Sequence, residues 1–225
     1  MLIGVLRELL SRKTRPIAAP GETAGTLDSG RAVLNVGGGS KDLAIPSKYD
    51  GWRHIMLDID ARGGPDIVCD ARELITLPGA QFDAVYCSHN LEHYYKHDGA
   101  KVLRGFLHVL KPDGFAELRV PDMEGVMKAV VARNLDIEAI LYVSPAGPIS
   151  VRDVIYGWSK EIERSGVDFY AHKTGFTATS LNSMLREAGF VETAMYVSDE
   201  AFELRALAFK MIPLESQRQL LAADI

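Results

Sequence analysis

The run Val33-Leu-Asn-Val-Gly-Gly-Gly-Ser40 constrains the fold more than any other stretch of this chain: a short apolar segment breaks into three glycines and then passes into a helix-compatible sequence. A β-branched apolar run suits a buried parallel strand. Glycines at its carboxyl end tolerate positive φ and let a ligand approach the backbone, which is how an open α/β sheet holds a nucleotide-like molecule. The pattern recurs downstream. His54-Ile-Met-Leu-Asp-Ile-Asp60, Asp66-Ile-Val-Cys-Asp70 and Phe82-Asp-Ala-Val-Tyr-Cys-Ser88 are each apolar and end in acidic or small polar residues. Four predicted strands therefore present chemistry at their carboxyl ends.

Strand and helix patterns alternate along the rest of the chain. The spacing predicts a helix over 98–110, with Leu103, Phe106, Leu107 and Leu110 on one face and Lys111-Pro-Asp-Gly114 as its stop. Phe115 to Val120 follows as a strand. The segment from Asp122 to Thr174 is less periodic and contains Ser144-Pro-Ala-Gly-Pro148, so it reads as an insertion over the strand ends, where substrate sites are usually shaped. A second helix is expected over 179–188, closed by Gly189 as a left-handed cap. Phe190–Val197 and Phe202–Met211 then read as two final strands, close enough in sequence to pair antiparallel.

With 225 residues, 47% of them hydrophobic, the chain can bury one substantial core. Residues 31–225 are expected to form a single domain, with 122–174 as its substrate-side insertion and 1–30 as an N-terminal helix and linker. In that helix Leu2, Val5, Leu6, Leu9 and Leu10 share a face while Arg7, Arg12, Lys13 and Arg15 carry charge. Packing on the domain, on a second copy or on a partner protein is the expectation, and a membrane-surface helix is the alternative. The formal charge of -5, from 25 basic and 30 acidic residues, gives no general attraction for nucleic acid. Cys69 and Cys87 sit inside predicted strands, and neither a secretory signal nor a bilayer-length apolar span is apparent. A reducing, cytoplasmic setting is expected.

Several motifs together carry a resemblance: the glycine loop, the acid after the second strand, Asp70-Ala-x-x-Leu at the third, Ser-x-x-Leu-Glu-His at the fourth, and "VLKPDGFAELRVPD", with "HKTGF" and "LREAGF" further on. In this order and spacing the chain resembles the class I S-adenosylmethionine-dependent methyltransferases, and most closely the small-molecule branch called methyltransferase type 11. The resemblance implies a Rossmann-like sheet of seven strands, six parallel and one antiparallel, with helices on both faces and the cofactor S-adenosylmethionine over the first half of the sheet. It also implies cofactor contacts. Gly37, Gly38 and Gly39 would admit the amino acid part, Asp58 would accept from both ribose hydroxyls with Asp60 as runner-up, and Ile59 and Ser88 would flank the site. Asp70 would accept from the adenine amino group while the Ala71 amide donates to the ring; the alternative for Asp70 is a helix cap. Asn35 stands where the family has an acid for the cofactor's ammonium, and Lys41 where it has a third loop glycine. A dinucleotide loop starting at Gly37 would need glycine where Asp42 stands, and its carboxylate is unfavourable beside phosphate.

Two histidines are candidates for catalysis. His89 opens His89-Asn-Leu-Glu-His93 at the end of the fourth strand, where a helical turn would put positions 89, 92 and 93 on one face, and three readings stand: a general base, a purely structural group, or one ligand of a divalent ion shared with Glu92 and His93. The metal is the less favoured of these, because no fourth protein ligand is in view. His172, in "YAHKTGF", either reaches the acceptor from the insertion, with Tyr156, Trp158 or Tyr170 as an aromatic wall, or braces the Gly175 turn. The expected activity is methyl transfer from S-adenosylmethionine to a small molecule, most plausibly at an oxygen of a sugar or secondary metabolite. The alternative is a catalytically silent cofactor-binding subunit that joins a partner through the N-terminal helix.

Overall fold

The computed structural model describes residues 30–144, 147–198, 201–215 and 217–218. The helix expected over 1–15 and nearly all of its linker lie outside the described residues. The four apolar runs become β1 (Ala32–Val36), β2 (Arg53–Asp58), β3 (Ile67–Val68) and β4 (Phe82–Ser88). With β5 (Leu110–Pro121), β8 (Glu192–Ser198) and β9 (Glu203–Phe209) they build one sheet in the order β3-β2-β1-β4-β5-β9-β8. The first five strands are parallel. β9 runs antiparallel to both β5 and β8, so six strands point one way and one the other.

Strand order reverses between β1 and β4, and at such a switch point the crevice for a ligand lies outside the carboxyl ends of the two strands. β1 is buried along its whole length, as expected of a central parallel strand. Its alternation sends Leu34 and Val36 into the larger core and Val33 into a smaller one on the other face. The larger core is closed by α1 (Lys96–Val109) and α5 (Ala178–Ala188), whose Leu103, Phe106, Leu181 and Leu185 are fully buried. Each such side chain contributes roughly 1.5–3 kcal/mol. Gly189 ends α5 at φ 115°, as its position in the sequence predicts. On the opposite face the described cover is the segment around Tyr49 and Trp52, packed on Tyr86, Phe115 and Phe209.

The expected turn at 111–114 is looped out of a longer strand: Leu110 already pairs with Phe82, and pairing resumes at Ala84 and Phe115. The segment from Asp122 onward is more regular than its sequence suggests. It holds α2 (Met123–Arg133), a hairpin of β6 (Ile140–Ser144) and β7 (Gly147–Ser150), α3 (Val151–Tyr156) and α4 (Ser159–Ser165). Val126, Leu141, Val151 and Val154 give it a small core of its own, closed by Phe202. Asp122 caps α2, and Ser150 caps α3 in a reciprocal capping box with Asp153.

Candidate functional site

The crevice opens into a cavity of about 300 Å³ whose wall includes Gly37, Gly39, Asp58, Ile59, Asp70 and His89. The loop after β1 shapes one side. Gly37 has φ 72°, and a Cβ there would meet the Asn90 side-chain nitrogen at 2.2 Å. A Cβ on Gly63 would run into the Gly39 carbonyl oxygen at 1.8 Å. Only glycine fits at either place. Asn35 and Gly38 lie behind the loop, with the Asn35 amide under Gly38. Ala71 is buried and Ser88 sits at the end of β4; neither is in the cavity wall.

Asp58 is fixed by its backbone neighbours: the Gly39 amide donates to Oδ2 at 2.9 Å and the Asp60 amide to Oδ1 at 2.8 Å. A carboxylate offers about four acceptor positions, so each oxygen keeps one for a ligand. Asp60 instead caps the short turn at 61–63 and chelates the exposed Arg62 guanidinium, which holds its carboxyl below the ordinary range. Asp70 is the cap anticipated as its alternative. It accepts from the Arg72 amide, and the Arg72 side chain straddles both of its oxygens. Arg72 also lies 3.6 Å from Asp98, in the same cavity wall. Phe169, Tyr170 and Lys173 of the insertion close the cavity opposite the strands.

His89 takes a left-handed conformation, φ 47°, while its amide still bonds the Arg119 carbonyl of β5. The turn at 91–93 begins only after it, so positions 89, 92 and 93 do not share a helical face. Its Nε2 lies 2.9 Å from Glu203 Oε2, and its Nδ1 lies 3.4 Å from Glu92 Oε1. Desolvation opposes a charge on the ring, but the two carboxylates outweigh it and the pKa is pushed up to about 10. An imidazole protonated at neutral pH has no lone pair for a proton or a metal. Glu203 is 114 residues away, and nothing in the sequence pointed to it.

His172 lies elsewhere. It lines a second cavity of about 200 Å³ together with Glu92, Pro121, Met123, Tyr156 and Thr174, and Lys173 lines both cavities. The second cavity has Tyr156 in its wall, Tyr170 belongs to the first, and Trp158 to neither. Burial pushes the His172 pKa down, against the pull of Glu92. The segment carrying it is tied to the turn after β4: the Lys173 and Thr174 amides both donate to the Glu92 carbonyl, at 2.8 and 3.1 Å. Glu92, His93 and His172 thereby come together, each offering a donor atom within 4.8 Å of the others.

A sequence model of a methyltransferase domain matches residues 6–194. The chain belongs to this methyltransferase family. Solved structures agree on the fold. A SAM-dependent methyltransferase from Archaeoglobus fulgidus superposes with a TM-score of 0.52 at 16% identity, over 81% of this chain and 87% of that one. A Pyrococcus horikoshii protein gives 0.52 at 15%, over 79% and 81%. A possible exported protein from Bordetella parapertussis gives 0.50 at 16%, over 82% of this chain but only 63% of its own. No curated protein matches the chain.

The chain is thus a methyltransferase by family, on the fold of an S-adenosylmethionine-dependent methyltransferase of known structure, and S-adenosylmethionine is the cofactor that this fold implies. The residues present fit that group. A loop that only glycine can form meets a buried carboxylate with one free acceptor position on each oxygen, in a cavity at the lower end of the range for small ligands.

Proposed function

We propose that this methyltransferase modifies an oxygen of a small-molecule acceptor, with the cofactor in the first cavity and the acceptor in the second. The observation that carries the reading is that the two cavities adjoin across the Glu92–His93 turn and share Lys173. Asp58 would hold the ribose hydroxyls, and the loop at Gly37–Gly39, backed by Asn35, the amino acid part. Ile59 and Ser88 would flank it. Asp70 and the Ala71 amide would receive adenine once Arg72 turns from Asp70 toward Asp98, a second carboxylate already 3.6 Å away.

When bound, S-adenosylmethionine supplies a methyl group on a sulfonium, already activated for in-line displacement. The chain's part is alignment and removal of one proton. The acceptor cavity would hold the hydroxyl in line with the methyl group, and the hydroxyl proton would pass to His172 in its wall. His172 Nδ1 contacts the Val154 carbonyl at 2.8 Å; a carbonyl cannot donate, so Nδ1 carries the hydrogen and Nε2 the lone pair. Its lowered pKa keeps that lone pair available at neutral pH. His89, held as a cation by Glu203 and Glu92, acts as a positioning residue at the cavity rim.

Calorimetry with S-adenosylhomocysteine tests the cofactor assignment. Micromolar affinity, on the order of -8 kcal/mol, with no binding of NAD, is the expected result, and absence of binding overturns the reading. Release of S-adenosylhomocysteine across a panel of hydroxylated, amino and carbon acids then identifies the acceptor atom. Turnover confined to amines would refute the oxygen assignment.

A further inference from the structure

We propose that Glu92, His93 and His172 form a binding site for one divalent transition ion of the zinc class, set in the wall between the cofactor and acceptor cavities. The sequence directed attention to a different trio, His89, Glu92 and His93, and gave little reason to favour a metal. The fold removes His89 from that trio and brings in His172 from 80 residues further along the chain.

The first observation is Glu92 itself. Its side chain is 1% exposed, and the one cation beside it, the His89 ring 3.4 Å from Oε1, is shared with Glu203, so neither carboxylate oxygen has a well-formed hydrogen bond from a described residue. Leaving a buried carboxylate with one long, shared partner is costly, and an ion in front of it reduces that cost. The second is the setting of the two imidazoles. His93 Nδ1 lies 3.2 Å from the Ala171 carbonyl oxygen and His172 Nδ1 lies 2.8 Å from that of Val154. Both rings therefore carry hydrogen on Nδ1 and a lone pair on Nε2. This is how metal-ligating histidines are oriented, with the second ring nitrogen donating to a backbone carbonyl. The rings stand with centroids 4.9 Å apart and planes inclined at 62°, so both can turn toward one point.

The donor chemistry selects the ion. Two imidazoles and one carboxylate suit zinc, iron(II), cobalt or nickel, whereas magnesium and calcium prefer an all-oxygen set. Two metal–ligand bonds of about 2.0–2.2 Å span less than the 4.8 Å within which the donors lie, so small side-chain rotations complete the site. Three protein ligands leave a coordination position open. Glu92 and His172 line the acceptor cavity and His93 the cofactor cavity, so an acceptor oxygen could occupy that position beside the methyl donor. This use of the ion rests on the reading above and would convert His172 from base to ligand; binding of the ion does not depend on it.

The test uses the whole protein stripped of metal, titrated with zinc against a chromophoric competitor and with cobalt followed by its visible absorption. One ion per chain at submicromolar affinity is expected, with d–d bands of a four- or five-coordinate site. Glu92→Gln and His172→Ala should each weaken zinc binding at least a hundredfold while thermal melting shows both variants folded. His97→Ala, at an exposed histidine, should change nothing. If folded Glu92→Gln and His172→Ala bind zinc as tightly as the parent, or the parent binds none, the site is refuted. Normal S-adenosylhomocysteine binding without zinc binding would overturn the ion site alone. The reverse would overturn the cofactor assignment and leave the ion site standing.

Discussion

Among the described residues two glutamates are buried, and they are treated in opposite ways. Glu117, in the middle of β5, is encircled. Tyr49 donates to Oε2 at 2.9 Å, Lys48 lies 2.8 Å from the same oxygen, and Arg205 and Arg119 approach Oε1 at 3.0 and 3.4 Å. Glu92, at the turn after β4, has only imidazoles around it, and the one that approaches an oxygen, His89 at 3.4 Å from Oε1, is held more closely by Glu203. Burial opposes its charge, yet the neighbouring histidines hold its carboxyl below the ordinary value. A buried charge with a full set of partners ties elements together. One faced by the His93 and His172 rings, each bonded to a carbonyl through Nδ1 and so able to turn Nε2 toward it, is arranged for an ion.

The sharpest break in that contrast would come from stability. Glu117→Ala should cost about 3–5 kcal/mol, the range for removing one partner of a buried ion pair, because three cations converge on it, two of them, Lys48 and Arg205, from distant parts of the chain. Urea denaturation measures this, and a loss below about 1 kcal/mol would mean that the cluster is not structural. The next effect belongs to the other carboxylate's neighbourhood. His172→Ala should lower turnover by roughly a hundredfold or more and leave S-adenosylhomocysteine affinity within twofold, whether His172 takes the proton itself or holds an ion. A variant that melts early yet turns over normally per folded molecule would make His172 a brace for the insertion.

Asp58→Ala should weaken S-adenosylhomocysteine binding by about 1.5–3 kcal/mol, the scale for losing a charged acceptor, since it removes two ligand contacts and releases the Gly39 amide. Unchanged affinity would move the ribose contact to Asp60. The smallest effect is the most diagnostic. Glu92→Gln in metal-free protein should shift stability by less than about 1 kcal/mol, in either direction, because His89 keeps its shorter ion pair to Glu203 and a neutral isostere is cheaper to bury than a carboxylate with one long contact. A loss as large as that of Glu117→Ala would erase the distinction between the two glutamates.

Local sequence alone determined the seven strands of the main sheet, the helices α1 and α5, the glycine loop and the positions of Asp58 and Asp70, because each rests on short-range physics. Side-chain period selects strand or helix, glycine supplies positive φ, and an acid at a strand's carboxyl end lands in the crevice once the sheet is parallel. The regular elements inside 122–174 were hidden because their apolar residues serve a small separate core, so no single face repeats for long. Tertiary structure decided the chemistry of the histidines. "HNLEH" reads as one helical turn, but His89 adopts φ 47° and swings to Glu203 on β9. β9 lies beside β5, which lies beside β4, and no local pattern encodes that order. His172 reaches Glu92 for the same reason: backbone bonds from Lys173 and Thr174 pin the end of the insertion to the turn after β4. A cluster assembled from residues 80 apart is set by chain topology, and topology is a property of the packed sheet rather than of any stretch within it.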